Sequence, residues 1–149
     1  MGLTPNFNNR DLQKMQKEIE NQVFQKAVRG FKYLGEIFVS HAKENVGFTD
    51  QTGNLKSSIG YVLFVNGQIH KETYELHKEG HEGLKKGPDI AKEIYTTLRK
   101  NPIVLVFVAG MNYALSVESK GYNVLTATEN EAKTHAKNIL RDFMRDPKM

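Results

Sequence analysis

Seven consecutive apolar residues, Ile103 to Ala109 in IVLVFVAG, constrain this chain more than any other stretch. Valine and isoleucine dominate the run, Asn101-Pro102 precedes it and Gly110 stops it. Such a run is far short of the ~20 residues that a bilayer span needs. It reads as a strand buried on both faces, which places it inside a sheet. The rest of the chain must then supply its neighbours and its cover.

One neighbour is legible upstream. Asp50, Gln51, Thr52, Gly53 and Asn54 form a turn-rich loop, and Leu55 to Val65 alternates as a strand with one buried face. Asn66-Gly67 is a strong hairpin signal, because both residues tolerate positive φ. Gln68 to Thr73 returns as the partner strand, and its polarity assigns it to an edge. Downstream, YNVLTA (Tyr122 to Ala127) gives a further short strand.

Two helices supply the cover. Leu12, Met15, Ile19, Val23 and Ala27 recur at steps of three and four, and Phe24, Val28, Phe31, Leu34, Phe38 and Ala42 extend the stripe. Asn8 is the expected N-cap, with Phe7 and Leu12 as a hydrophobic staple, and Asn45 and Gly47 end the helix. About 38 residues at about 1.5 Å each give roughly 57 Å, more than a domain this size is wide. Gly30 or Gly35 must bend this helix, or one end projects. At the other terminus Thr128 to Glu131 fits a capping box, followed by a stripe of Ala132, Ala136, Ile139, Leu140 and Phe143.

Between the hairpin and the apolar run the character changes. His70 to Lys100 holds seven Lys/Arg, six Asp/Glu and three of the five histidines, around Gly80, Gly83 and Gly87. It reads as an insertion, 70–102, with a loop followed by a short amphipathic helix that has Pro88 in its first turn. Ile90, Ala91, Ile94, Tyr95 and Leu98 form that helix's apolar side. The insertion either covers the sheet or reaches a neighbour. The expected class is α+β in a single domain, 1–149: a small, mostly antiparallel sheet packed with a long N-terminal helix and a C-terminal helix.

Composition narrows the function classes. A net charge of +4 from 21 basic and 17 acidic residues, with no long Lys/Arg tract, does not indicate a nucleic-acid face. The absence of cysteine excludes disulfides, thiolate metal sites and a cysteine nucleophile. MGLTPNFNNRD has no apolar core, so no signal peptide is expected and folding in a cytoplasm is the default.

Candidate chemistry is sparse. His77 and His81 lie four apart, but Gly80 and Gly83 argue against a helix there, and surface-loop histidines are expected. A small metal-dependent hydrolase using His77, His81 and Glu82 is one alternative, and a nucleic-acid-binding module is another. No serine stands in a strand-to-helix elbow, and GHEGLKKG lacks the phosphate-loop spacing. His135 falls at the boundary of the last helix's stripe. In YALSVE, Tyr113, Ala114 and Val117 fall on one side of a helical turn with Glu118 at its boundary. Glu118 is there either a salt-bridged or exposed carboxylate, or a contact between subunits.

Two stretches speak together. DQTGNLKSSIGY (Asp50 to Tyr61), then MNYALSVESKGYNVLT (Met111 to Thr126) and a closing helix, resemble tailed-phage and prophage tail components. These are the head–tail joining or tail-completion proteins, with Asp-x-Thr-Gly-x-Leu-x-x-Ser-Ile and Tyr-Ala-x-x-Val-Glu-x-Gly segments. Asp50, Thr52, Gly53, Leu55, Ser58 and Ile59 match the first, and Tyr113, Ala114, Val117 and Glu118 the second. Gly121 falls one residue late, and the Arg-Pro-Phe element before the last helix is absent. The likeness covers under half the chain.

The resemblance implies a non-enzymatic structural protein of the neck or tail, without cofactor or metal. It also implies ring assembly with itself, neck or connector and tail-tube proteins as partners, and no membrane. The protein's place would be the virion, and the bacterial host's cytoplasm during assembly. Asp50, Thr52, Gly53, Leu55, Ser58, Tyr113 and Glu118 become interface or fold-defining candidates.

Overall fold

The computed structural model describes residues 8–45, 53–76, 78–110, 113–118, 123–126 and 130–147. Helix α1 (Asn9–Asn45) opens the chain, followed by the one-turn α2 (Asn54–Ser57). Strands β1 (Gly60–Val65) and β2 (Gln68–Glu72) form a hairpin, and α3 (His81–Tyr95) follows. Strands β3 (Ile103–Ala109), β4 (Tyr113–Glu118) and β5 (Asn123–Thr126) precede the last helix, α4 (Asn130–Arg145). The sheet runs β2-β1-β3-β4-β5, antiparallel throughout, so the fold is α+β.

The apolar run is the central strand, β3, paired with β1 on one side and β4 on the other. Its alternate residues serve two cores. Ile103, Leu105 and Phe107 join Tyr61, Leu63, Leu115 and Val117 under α1 and α4. Val104, Val106 and Val108 join Val62 and Phe64 under α3, where Ala91, Ile90, Ile94, Tyr95 and Leu98 pack. Helices therefore cover both faces, and the helix of the charged 70–102 stretch supplies the second cover. The Phe64 and Tyr95 rings stack there, with centroids 3.7 Å apart and planes 3° from parallel.

Helix α1 begins as its cap residues dictate. The Asn8 side chain accepts from the Asp11 N–H at 3.1 Å, and the Asp11 carboxylate accepts from the Asn8 N–H at 3.2 Å. This reciprocal pair satisfies two otherwise orphaned donors. Phe7 of the expected staple lies outside the described residues, as do Thr128 and Glu129 of the C-terminal capping box. Gly30 and Gly35 do not interrupt α1, which stays helical for 37 residues. They let neighbours approach: a Cβ at Gly35 would stand 2.7 Å from Tyr61 Cδ1, and one at Gly30 2.9 Å from Phe143 Cδ1.

The hairpin turn matches its sequence, with φ of 51° at Asn66 and 82° at Gly67, and β2 is an exposed edge. Three expectations need correction. The strand expected from Leu55 begins only at Gly60, because the chain first makes the turn of α2: Ser57 N–H donates to Gly53 O and Ser58 N–H to Asn54 O. Helix α3 starts at His81, not near Pro88, and takes Gly83, Gly87 and Pro88 inside it. Tyr113 to Glu118 is a strand and not a helical turn, held by its full ladder with β3.

Candidate functional site

The first motif's described part, from Gly53 to Ile59, forms a buried junction with α3. Gly53 takes φ +79°, a conformation that favours glycine, and starts α2. Asn54 then turns its side-chain oxygen to the N–H of Gly83, 3.2 Å away. A Cβ at Gly80 would strike the Gly53 carbonyl, and one at Gly83 the Asn54 carbonyl. The glycines that argued against a helix are thus what allows α3 to lie against α2. Ser57 and Ser58 are buried at this junction, and Ile59 enters the core beneath α1. Asp50 and Thr52 lie outside the described residues. Leu55 falls within α2.

Tyr74 closes the same corner. Its ring lies against Gly60 and Gly87, and its hydroxyl is buried with no hydrogen-bond partner. Burial, then the charge of Glu72, raises this phenol above the usual tyrosine range. Tyr61 is raised too, by burial first and then by Glu36, whose Oε1 accepts from its hydroxyl at 3.4 Å.

The second motif is β4. Tyr113 pairs with Ala109, and Ala114 with Val108, which on its other side pairs with Gly60. The sheet thus brings the start of β4 to the end where the Gly53–Ser58 junction sits, one strand away from it. Glu118 is not brought there. It lies at the far end of β4, opposite Val104 and Asn123, and is only 7% exposed. Strand alternation places it with Ala114 and Ser116 on the α3 side of the sheet, and the buried Ser116 Oγ has no hydrogen-bond partner.

An exposed apolar stripe lies elsewhere. Leu12, Met15, Ile19 and Val23 are 48%, 50%, 58% and 52% exposed, although their spacing marks a buried stripe. The first half of α1 projects beyond the body, and no described element covers it. Helix α4 runs antiparallel along the second half: His135 meets Phe38, Phe143 meets Gly30 and Tyr33, and the Asp146 carbonyl accepts from Lys26. Lys26, Gly30 and Tyr33 continue the line of the exposed stripe, so α4 ends where the bare stripe begins. Beside them Arg29, Lys32, Tyr33, Glu36 and Phe143 line an open depression of about 380 Å³. The sequence signal for this surface was the excess length of α1 over the domain.

His81 is exposed at the first residue of α3, 4.0 Å from Glu79, and Glu82 pairs with Lys86 at 2.6 Å. That ion pair holds the Glu82 carboxyl below its ordinary range. His77 lies outside the described residues. Among the described residues no three His, Asp or Glu side chains converge as a metal site, and no helix is long and apolar enough to cross a membrane. Comparisons with protein-family models, curated proteins and solved structures find no match.

Proposed function

We propose that this chain is a non-enzymatic structural component of a phage or prophage neck or tail, of the head–tail joining or tail-completion kind, acting by ring assembly. The observation that carries the reading is the projecting half of α1, where four large apolar residues are exposed and no other described element covers them. A contiguous exposed apolar face on one helix is a feature of interaction sites. The motif pair supports the reading from a second direction. Its described members build the α2–α3 junction and the middle of the sheet, which is where residues of a rigid assembly unit belong.

Partners in this reading are further copies of the chain, connector proteins and tail-tube proteins. Neither His81 nor Glu82 favours the hydrolase alternative: one is an exposed helix-end residue and the other is committed to Lys86. The test is to identify the genes flanking the chain's own and to co-express the chain with the neck and tail-tube proteins expected among them, followed by electron microscopy. Rings bound to one of them are expected. A chain that binds none of them would remove the reading.

A further inference from the structure

We infer that the bare stripe of α1 is covered by a second copy of this chain, in an antiparallel, two-fold pair of α1 helices. The stripe of each copy lies in the Tyr33–Phe143 depression of the other. This contact goes beyond the neck or tail reading and does not rest on it; a ring, where one forms, would be built from such pairs.

Three observations carry the inference. The stripe of Leu12, Met15, Ile19 and Val23 is the continuation of a face that α4 already covers along Lys26, Gly30 and Tyr33, so that face is built to hold a helix against it. The depression offers what the stripe lacks. Its floor is aromatic, with the Tyr33 and Phe143 ring centroids 5.4 Å apart, and Tyr33 remains 40% exposed. Charge then selects the direction. The stripe is flanked by Asp11 and Glu18, whereas the depression is rimmed by Arg29 and Lys32, and its one carboxylate, Glu36, is paired with Lys71 at 3.0 Å.

An antiparallel helix pair with Met15 over the partner's Tyr33 brings Glu18 to the height of the partner's Arg29 and Lys32. Because the helices are antiparallel, the contact repeats itself about a two-fold axis, as an isologous interface requires. A methionine against an aromatic ring is a favourable contact in its own right. A parallel pair would instead bring the acidic flanks of both projecting halves together, with Glu18 toward Glu20, and leave both depressions empty.

The test is the mass of the purified full-length chain by sedimentation equilibrium over a wide concentration range. Wild type is expected as a dimer of the 17.0 kDa chain, or as an even-numbered multiple of it. Ile19→Lys, at an exposed position, is expected to keep the wild-type far-UV circular dichroism spectrum while weakening dimerisation by tenfold or more, about 1.4 kcal/mol or above. Glu18→Lys and Lys32→Glu should each weaken it by about fivefold, and the double exchange should restore it to within about twofold. A wild type that stays monomeric at several hundred micromolar overturns the inference. So does a dimer indifferent to Ile19→Lys, or a charge exchange without recovery. A ring that survives Ile19→Lys would overturn this contact and leave the neck or tail reading standing. A dimer that binds no neck or tail protein would do the reverse.

Discussion

Gly35 of α1 rests directly on the ring of Tyr61, so closely that a Cβ would stand 2.7 Å from Cδ1. The ring has nowhere to retreat, because Tyr61 is fully buried between α1 and the sheet. Helix propensity alone would favour alanine at this position by about 1 kcal/mol. Overpacking against a rigid, enclosed ring costs about 1–3 kcal/mol, and more when the backbone must shift. The second effect wins. Gly35→Ala is expected to destabilise by about 1–2 kcal/mol, read as a fall in Tm of roughly 3–6 °C. An unchanged or raised Tm would show that α1 is free to lift from β1.

Gly83 makes the sharper case, since its obstacle is backbone. A Cβ there meets the Asn54 carbonyl, which a rotamer change cannot move. Gly83→Ala should therefore separate α2 from α3 and cost about 3 kcal/mol. Asn54→Ala removes only the hydrogen bond to the Gly83 N–H and should cost about 1 kcal/mol. Urea unfolding of the two variants orders them. Equal losses would mean that the hydrogen bond, and not the close approach, governs the junction.

The tyrosines predict an alkaline limit. Tyr61 and Tyr74 are both raised above the usual tyrosine range, chiefly by burial. The folded chain therefore keeps two protons that the unfolded chain gives up near pH ~10. Stability from this source is fully present below that pH and declines as the pH rises further. Urea midpoints should be flat from about pH 8 to 9.5 and fall beyond about pH 10. Tyr74→Phe should make the fall shallower, and near neutral pH it should cost nothing, because the hydroxyl it removes is buried without a partner. An alkaline slope identical in wild type and in Tyr74→Phe would exclude Tyr74 as its source.

What could be read from the sequence was what local chemistry decides. The Asn66-Gly67 turn, the two-faced β3 and the edge strand β2 each follow from period and turn residues within a few positions. The errors arose where a distant partner decides. Gly80, Gly83 and Gly87 look like helix breakers until α2 and Tyr74 are placed against them. YALSV fits a helical turn and a strand about equally, and the ladder with β3 settles the matter. Periodicity located an apolar face on α1 along its whole length, but it carries no information about what lies opposite. The same pattern therefore described both the buried Phe31 and the exposed Ile19.

Mechanics follows from the way α1 is held. Its second half is clamped between the sheet and α4, while the residues from Asn9 to Val23 extend past every other described element of their own chain as a rod roughly 22 Å long at about 1.5 Å per residue. A helix anchored at one end is a lever with its fulcrum at the clamp. Small tilts near Gly30 and Gly35, where the ring contacts of Phe143 and Tyr61 sit, are amplified along the rod into much larger excursions of its tip. The two glycines thus set the aim of the helix at a tip about six to seven turns away from them.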